Sequence, residues 1–323
     1  MNSLQRSEAN LQAWHDLTAM RITADAISEF EQHEAVAPDY FQSIGDIEAE
    51  LIAAFDPQVK RNDPRLPFAS SRDVFQMRSH ELTIWFGIDG HGKSMLLSHV
   101  LIDLMANGQK CAMASLEMPL GKVAKRMARQ AIGNDNPTAQ AISAFCKWGL
   151  GKLWFYREPE GANTNRIYAA IRFAVKKLGV QHFVVDNLTC MLDRDEDMNE
   201  QKAVIKKLAL LARDTGVHIH LVCHSRKVAN EAEVPSRNDL KGSGAQLALA
   251  DNVFIVWRNP VAADKRKPDC PCDAALVLGK QRHYDGAGDD TGFWGLWFDQ
   301  RSQQFKDFAS QPTRKYVMGI QPA

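Results

Sequence analysis

The feature that most constrains this chain is a glycine-rich segment that directly follows an apolar run. Residues 81–86 read Glu-Leu-Thr-Ile-Trp-Phe, and residues 87–94 read Gly-Ile-Asp-Gly-His-Gly-Lys-Ser. The second stretch fits the pattern G-x-x-x-x-G-K-S, in which the backbone N–H groups of a tight loop surround phosphate oxygens. A helix-like stretch, residues 95–105, follows the loop and adds its positive N-terminal end. The chain is therefore predicted to build a strand, a phosphate-binding loop and a helix that together hold a nucleoside triphosphate.

The residues of this loop have separate expected tasks. Lys93 is expected to reach the β- and γ-phosphates, and the Ser94 hydroxyl is expected to ligate Mg²⁺. The bound nucleotide is expected to be ATP, or else dTTP or another NTP. Its predicted contacts are Gly87, Asp89, Gly90, His91, Gly92, Lys93, Ser94 and Met95. The alternative is a glycine-rich turn before an ordinary helix.

Composition limits the possible partners and the compartment. The 323 residues contain 39 Lys and Arg and 39 Asp and Glu, so the formal net charge is zero. Any contact with nucleic acid must then be a local feature of the surface. The sequence shows neither a signal peptide nor an apolar run of about 18 residues. We expect a cytoplasmic protein with no membrane partner.

The order of the predicted elements indicates an α/β fold. Apolar runs at 81–87, 110–115, 152–156, 182–186 and 218–223 alternate with helical patterns. Strands separated by helices form a parallel sheet that is covered on both faces. After residue 250 the helical patterns end, and strand-like runs follow at 252–257, 273–279 and 293–298. These late runs predict an antiparallel extension of the sheet.

The first 74 residues precede this core, which is predicted to span 75–310 before a C-terminal tail at 311–323. Residues 1–40 are predicted to form a short helical segment, and residues 41–74 a linker helix with a proline-rich linker. Within the linker helix, Ile44, Ile47, Leu51 and Phe55 recur at helical spacing. This apolar face must be buried on its own domain or on a neighbouring subunit. We favour the neighbouring subunit, which implies an oligomer.

Two carboxylates follow predicted strands at the ligand-binding edge of the sheet. Glu117 follows the second strand, where it could accept a proton from an attacking water. The alternative for Glu117 is an ordinary acid at a helix start. Asp186 ends the strand Phe-Val-Val-Asp and is a candidate Mg²⁺ ligand. Its alternative is a turn Asp at the strand end.

The strand at 218–223 is followed by His224, which would lie beside the γ-phosphate and sense it by hydrogen bonding, although a lone His is more often structural. A basic, glycine-containing loop continues from there. Such a loop suits contact with the backbone of single-stranded DNA, and the alternative is a solvated surface loop. The candidate DNA-binding residues are Arg226, Lys227, Arg237, Lys241 and Gly242.

A second pair of cations lies at the end of a late strand. Lys280 and Arg282 are candidates to reach the γ-phosphate of a neighbouring subunit, where an arginine finger neutralises charge in the transition state. The alternative is a hairpin end with two exposed cations.

Taken in order, these segments resemble the replicative hexameric helicases of the DnaB type, in particular the helicase half of phage primase-helicases and of mitochondrial Twinkle. The likeness spans roughly residues 75–305. The landmarks that carry it are the phosphate-binding loop, Ser115-Leu116-Glu117-Met118, Val185-Asp186-Asn187-Leu188, Cys223-His224, Asp239-Leu240-Lys241-Gly242-Ser243-Gly244-Ala245 and Lys280-Gln281-Arg282.

The resemblance implies a RecA-like core, a ring of six with nucleotide between subunits, and 5′-to-3′ translocation on single-stranded DNA with unwinding of forked duplex. By position it implies that Glu117 is the catalytic base, Asp186 the magnesium-side acid and His224 the γ-phosphate sensor. It implies that Arg282 is the finger, assisted by Lys280. It also implies a phage or prophage protein whose linker helix packs on the adjacent subunit.

The chain departs from the family in three places. The first 40 residues are too short for a primase domain, so a primase is expected to be a separate protein or absent, and a polymerase partner stays open. The segment 193–197 is acidic, which argues against phosphate binding there. The stretch 259–272 is an insertion without an assigned role.

Two other functions remain open at this stage. A RecA/RadA-like recombinase ATPase would use the same core and form filaments. A nucleotide-gated loader or scaffold would bind DNA without unwinding it, but such a protein needs no catalytic base, so Glu117 argues against it.

Overall fold

A computed structural model describes residues 44–45, 48–56, 63–157, 164–192, 197–225, 233–235, 239, 244–260, 272–283 and 292–317, and the architecture is that of these residues. All of them belong to one compact unit that spans Gln42–Ala323. The strands are β1 Leu82–Gly87, β2 Cys111–Ser115, β3 Leu153–Tyr156, β4 His182–Asp186, β5 His218–His224, β6 Asn252–Arg258, β7 Ala274–Gln281, β8 Gly292–Asp299 and β9 Gln304–Lys306.

One described helix precedes β1, and the others lie between the strands. The helices are α1 Glu48–Phe55, α2 Lys93–Ala106, α3 Leu120–Ile132, α4 Ala139–Gly149, α5 Thr164–Phe173, α6 Met198–Thr215 and α7 Gly244–Leu249. A π-helical turn, Ala174–Leu178, continues α5, and short 3₁₀ turns lie at Ala69–Ser71 and Thr189–Met191. The Asp197 side chain caps α6 by accepting hydrogen bonds from the N–H groups of Asn199 and Glu200.

Among the described residues, one sheet runs in the order β3-β2-β4-β5-β1-β6-β7-β8-β9. The six strands from β3 to β6 are parallel, and β7, β8 and β9 are antiparallel. Every strand predicted from the sequence is present with ends within two residues, and β9 is an addition. The parallel strands are apolar on both faces because helices cover both faces. The predicted α/β sheet with a late antiparallel extension is confirmed.

The core lies around the helix that follows the phosphate-binding loop. Leu96, Leu97, Val100 and Leu101 of α2 are fully buried against strand residues such as Trp85. Residues after β9 also join this packing, since the backbone N–H of Tyr316 donates to Ala131 O at 2.9 Å. The phosphate-binding loop therefore leads into a helix that is held in the centre of the core.

The segment before β1 is fixed to the antiparallel end of the sheet. Phe68 and Phe75 are buried, and the Trp294 indole donates to Ser70 O at 3.1 Å. The Asp307 carboxylate accepts hydrogen bonds from the Ala69 and Ser70 N–H groups at 3.1 and 3.2 Å. The proline-containing stretch thus packs on the core from residue 63 onward in the described region.

Helix α1 presents a large apolar surface to solvent. The exposed fractions are 46% for Leu51, 64% for Ile52 and 79% for Phe55. The predicted helix over 41–56 is shorter where it is described: it begins at Glu48, and Ile44 lies in a turn before it. Ile44 therefore does not share the helical face that the spacing predicted, and Ile47 lies outside the described residues.

Among the described helices, none combines the length and the apolar character needed to cross a bilayer.

Candidate functional site

The predicted site residues meet at one edge of the parallel strands. Lys93 and Ser94 are the first residues of α2, directly after the loop that follows β1, and the carboxyl ends of β4 and β5 carry Asp186 and His224. Register aligns Gly87 with His224 across β1 and β5, so these ends are neighbours. In open parallel sheets, ligands bind outside the carboxyl ends of the strands.

Glycine is required where the loop leaves β1. A Cβ on Gly87 would lie 2.1 Å from the carbonyl oxygen of Val256 on the adjacent β6, so a larger residue would separate the two strands. Gly92, the last residue before α2, has φ +87°, which side chains with a Cβ rarely adopt. Both positions therefore require glycine for the backbone path from β1 to α2.

Lys93 is held inside this loop. Its Nζ donates to Gly87 O at 2.8 Å and to Ile88 O at 3.0 Å, and it lies 3.5 Å from Asp89 Oδ1. The side chain is only 6% exposed, and burial lowers the pKa of the ammonium group. A buried cation that is held by two neutral carbonyl oxygens and one exposed carboxylate is suited to bind the charged oxygens of phosphate.

The Asp89 carboxylate contacts two of the side chains that are predicted to bind the nucleotide phosphates. Its Oδ1 contacts Lys93 and accepts a hydrogen bond from His224 Nδ1. The Asp89 side chain itself is 77% exposed, at the mouth of the site. A nucleotide phosphate between Lys93 and His224 would replace this carboxylate as their shared anionic partner.

Asp186 and Ser94 form a pair suited to magnesium. Asp186 is 2% exposed, its Oδ1 is buried without a hydrogen-bond partner among the described residues, and it shares a hydrogen bond with the Ser94 side chain. Burial raises the pKa of this carboxyl, which Arg126 and Lys93 oppose. A buried carboxylate oxygen and a hydroxyl are hard donors of the kind that Mg²⁺ prefers, so the residues present fit the ion.

A hydrogen-bond chain joins the candidate base to the candidate sensor. Asn187 Nδ2 donates to Glu117 Oε2 at 2.5 Å and to His224 Nε2 at 2.7 Å. The Asn187 carbonyl accepts from the Cys190 N–H at 3.2 Å, which fixes the amide. Glu117 is exposed and open to water. The sequence pattern did not single out Asn187, although it directly follows Asp186 in the quoted landmark.

A cavity of about 310 Å³ opens beside the phosphate-binding loop on its β6 side. Gly92 and Met95 line it from the loop and α2, and Arg258, Phe298 and Phe305 line it from β6, β8 and β9. His91 Nδ1 accepts a hydrogen bond from the Arg258 N–H at 3.1 Å and ties the loop to this wall. An aromatic and a cationic side chain suit a nucleobase and ribose. Neither Arg258 nor Phe298 carried a sequence signal, because both lie in ordinary strand patterns.

Lys280 and Arg282 lie toward the amino-terminal ends of the parallel strands, whereas the phosphate-binding loop of their own chain lies at the carboxyl ends. Lys280 pairs with Val253 at the start of β6, which is parallel to β1. Val253 in turn pairs with Ile84 of β1, three residues before Gly87, so Lys280 lies about 10 Å along the strands from the start of the loop. These two cations do not join the site of their own protomer, and an action on a neighbour's nucleotide stays a prediction.

Both cations bind their own backbone in this structure. Lys280 Nζ donates to Leu247 O at 2.7 Å and to Ala250 O at 2.6 Å, at the C-terminus of α7. Arg282 donates to Ala248 O and forms an ion pair with the buried Asp251 at 2.9 Å. Lys280 is half-buried and Arg282 is exposed, so the alternative of a hairpin end with exposed cations stays open for Arg282.

The candidate DNA-binding residues Arg226, Lys227, Arg237, Lys241 and Gly242 lie outside the described residues, as do residues 193–196, 261–271 and most of the first 47 residues.

Comparisons with known proteins agree with this geometry. A family model described as an AAA domain matches residues 67–230, just over half of the 323 residues. A DNA helicase/primase of Enterobacteria phage T3 is 29% identical to this chain over 106 residues, which are 30% of this chain and 19% of that protein. The chain spans about a fifth of the length of that curated relative.

Two solved structures share the fold. A DnaB-like replicative helicase, described together with its interactions with primase, matches with a TM-score of 0.65 and 18% identity over 94% of this chain and 76% of that chain. A second structure, described as an ATPase domain, matches with a TM-score of 0.67 and 17% identity over 83% of this chain and 100% of that chain.

The fold is that of a RecA-like P-loop core, as the sequence predicted. Within this class the chain belongs to the AAA domain family, whose matched region contains the phosphate-binding loop, Glu117, Asp186 and His224. Nucleotide binding follows from this membership. The resemblance to DnaB-type helicases is confirmed for the fold and by the match to the phage helicase/primase.

Proposed function

We propose that this chain is an NTP-dependent DNA helicase that moves 5′ to 3′ on single-stranded DNA as a hexameric ring and unwinds forked duplex. The observation that carries the proposal is the hydrogen-bond chain from Glu117 through Asn187 to His224 beside a phosphate-binding loop. This hydrogen-bond chain couples a candidate base to a candidate phosphate sensor. A protein that only binds nucleotide does not require such a coupling. The similarity to a phage helicase/primase supports the proposal.

The residues of one protomer bind and activate the nucleotide. Lys93 leaves the carbonyl oxygens of the loop and binds the β- and γ-phosphates. Ser94 and Asp186 would hold Mg²⁺, and the ion would neutralise charge on the phosphate oxygens. Glu117 accepts the proton of the attacking water, and Asn187 holds its carboxylate in place. His224 reports the loss of the γ-phosphate to β5 and to the loop that follows it.

The neighbouring protomer completes the site. Lys280 and Arg282 lie toward the amino-terminal ends of the parallel strands, away from their own loop, so head-to-tail packing of protomers brings them to the next nucleotide. There the guanidinium of Arg282 neutralises charge that develops on the transferred phosphoryl group. Six protomers arranged in this way close into a ring.

The same two cations connect hydrolysis to DNA. The loop with Arg226, Lys227, Arg237 and Lys241 begins after β5 and ends at α7, and Lys280 and Arg282 hold the C-terminus of α7. A neighbour's nucleotide that draws these cations away loosens α7, and the loop moves with it. Each cycle then advances the bound single strand, and a separate primase or polymerase works on the strands that are released.

The test is a forked-duplex unwinding assay with Mg²⁺ and ATP or dTTP, run beside NTP hydrolysis with and without single-stranded DNA. The proposal expects DNA-stimulated hydrolysis and strand separation, both lost in Lys93→Ala and retained in the exposed-residue control Lys125→Ala. Hydrolysis without unwinding, with filaments in electron micrographs, would instead identify a recombinase. Gated DNA binding without hydrolysis would identify a loader.

A further inference from the structure

Arg126 is a partly buried cation at the nucleotide site that the mechanism above does not use. It lies on α3, the helix that begins directly after Glu117-Met118-Pro119. Its Nη2 donates to Met118 Sδ at 3.1 Å, and a thioether is a weak acceptor. Its Nη1 is buried and has no hydrogen-bond partner among the described residues. A guanidinium stays charged in proteins, so this arrangement leaves a positive charge poorly satisfied.

A second unpaired atom of opposite charge faces the same region. Asp186 Oδ1 is also buried without a partner in the described part of the chain. The two side chains attract each other, since Arg126 stabilises the ionised form of Asp186 and Asp186 that of Arg126. They nevertheless form no ion pair within 4.0 Å, although Arg and carboxylate groups that can touch usually pair directly.

The unpaired atoms of Arg126 and Asp186 together indicate what kind of ligand would bind between them. Arg126 needs an anionic oxygen, and Asp186 needs a hard cation or a donor. A metal-bound phosphate oxygen satisfies both at once, because the metal meets the carboxylate and the phosphate meets the guanidinium. The α- and β-phosphates belong to the N–H groups of the loop at the start of α2, so the terminal phosphate is the one nearest to β2, β4 and Glu117.

We propose that Arg126 binds the terminal phosphate of the nucleoside triphosphate from within the same protomer. The inference rests on the proposed nucleotide hydrolysis, but not on DNA unwinding. It makes Arg126 the residue by which one subunit distinguishes triphosphate from diphosphate before any neighbour contributes. It also gives α3 a contact with the site that depends on the bound nucleotide, since Arg126 loses its partner when the terminal phosphate leaves.

The test measures binding and stability in Arg126→Met, with Lys125→Met as a matched control. Met has similar length and no charge, and Lys125 is the exposed neighbour of Arg126 on the same helix. Affinities for a non-hydrolysable triphosphate analogue and for the diphosphate are measured with Mg²⁺ by a fluorescent nucleotide assay. Thermal unfolding is measured without nucleotide. Arg126→Lys serves as the charge-conserving variant.

The proposal expects the triphosphate analogue to bind about 10- to 100-fold more weakly to Arg126→Met, with diphosphate affinity changed less than about twofold. Without nucleotide, Arg126→Met should unfold at the same or a higher temperature, because a poorly satisfied charge has been removed. Arg126→Lys should recover part of the selectivity, and Lys125→Met should match the unmodified chain.

Three results would overturn the assignment. They are an equal loss of affinity for both nucleotides, unchanged affinity for the triphosphate, and a lower unfolding temperature that reveals a structural role. If selectivity depends on Arg126 but forked duplex is not unwound, the helicase proposal fails and this one stands. If duplex is unwound but selectivity is independent of Arg126, only this proposal fails.

Discussion

At the scale of single residues, the nucleotide site holds its charges in contacts that a nucleotide must replace. Lys93 lies against two carbonyl oxygens, and the Asp89 carboxylate lies between Lys93 and His224. The Asp89 carboxylate of the loop therefore occupies the space between the two cation-capable side chains, Lys93 and His224. Phosphate binding is an exchange of acceptors around Lys93, and the carboxylate of Asp89 opposes it.

Asp89→Asn should strengthen nucleotide binding. The substitution removes a negative charge beside the phosphate position, and at a site this exposed the charge is worth about 1 kcal/mol at most, so we expect about a threefold lower dissociation constant. The measurement is a nucleotide titration at low and high salt, in which the gain shrinks as salt screens it. Asp214→Asn, an exposed carboxylate on α6, is the control. Weaker binding in Asp89→Asn would mean that this carboxylate helps to hold the nucleotide.

Residue positions at the site were predictable where the sequence carries a pattern tied to a strand end, and the roles assigned to them stay predictions. Lys93, Asp186 and His224 follow apolar strands, and parallel strands bring their carboxyl ends together. Asn187 escaped assignment because an amide after a strand most often serves a turn. Arg258 and Phe298 also escaped assignment. They lie on strands that are distant in sequence from the loop, and only the folded sheet brings them beside it.

At the scale of elements, the sheet was predictable and the first helix was less so. Buried parallel strands read as continuous apolar runs bounded by polar residues, so their ends are sharp in the sequence. Helix α1 has an apolar face with exposed Leu51, Ile52 and Phe55, and the spacing alone extended it to Ile44. Strand β9 was missed because its three residues are too short for a periodic signal.

The strands β4 and β5 contain a cluster of three buried histidines that the phosphate chemistry does not use. His220 Nε2 donates to His182 Nδ1 at 3.3 Å, and His218 Nδ1 donates to Arg78 O at 2.6 Å. Thr83 donates to His218 Nε2 at 2.7 Å. Burial lowers the pKa of all three rings, that of His218 to about 4. The sheet therefore holds these rings neutral.

Acidification should destabilise the fold through this cluster. An unfolded His has a pKa of about 6.5, so below that pH the unfolded chain binds protons that the folded chain excludes. The stabilisation is complete above about pH 6.5 and is lost as the pH falls toward 4, by up to about 1.4 kcal/mol per pH unit for each His. Urea unfolding at pH 7, 6 and 5 measures this slope.

A substitution separates the cluster from other titrating groups. His220→Gln keeps a donor and an acceptor but cannot bind a proton, so its unfolding free energy should fall less steeply with acidification. His283→Gln, at a side chain that is 58% exposed, should leave the slope unchanged. A parallel loss of stability in His220→Gln and the unmodified chain would remove the cluster as the cause.

At the scale of the whole molecule, the sequence pattern indicates the apolar face of α1 but does not identify the surface that packs against this face. Leu51, Ile52 and Phe55 are exposed on α1, which is costly for a monomer in water. We expect a neighbouring protomer to cover this face in the ring, since hydrolysis is proposed to need residues from that neighbour.

Phe55→Asp should therefore weaken assembly. A buried phenylalanine contributes about 2 kcal/mol of apolar burial, and a charge at the same place adds a desolvation cost. Mass photometry with nucleotide should show a shift from rings toward monomers, and hydrolysis should fall at low protein concentration and recover at high concentration. Phe308→Asp, at a phenylalanine that is 53% exposed on another part of the described surface, is the control. Unchanged assembly in Phe55→Asp would mean that α1 is not an intersubunit element.

The most direct test of the shared site mixes two variants. Lys93→Ala lacks the phosphate-binding cation but keeps Arg282, whereas Arg282→Ala keeps the loop but lacks the finger, so each should be inactive alone while Arg282→Ala still binds nucleotide. When the two are mixed and allowed to exchange subunits, an intact loop can meet an intact Arg282 across a boundary, and NTP hydrolysis should reappear. A mixture that stays inactive despite exchange, or full hydrolysis by Arg282→Ala on its own, would contradict a nucleotide site built from two protomers.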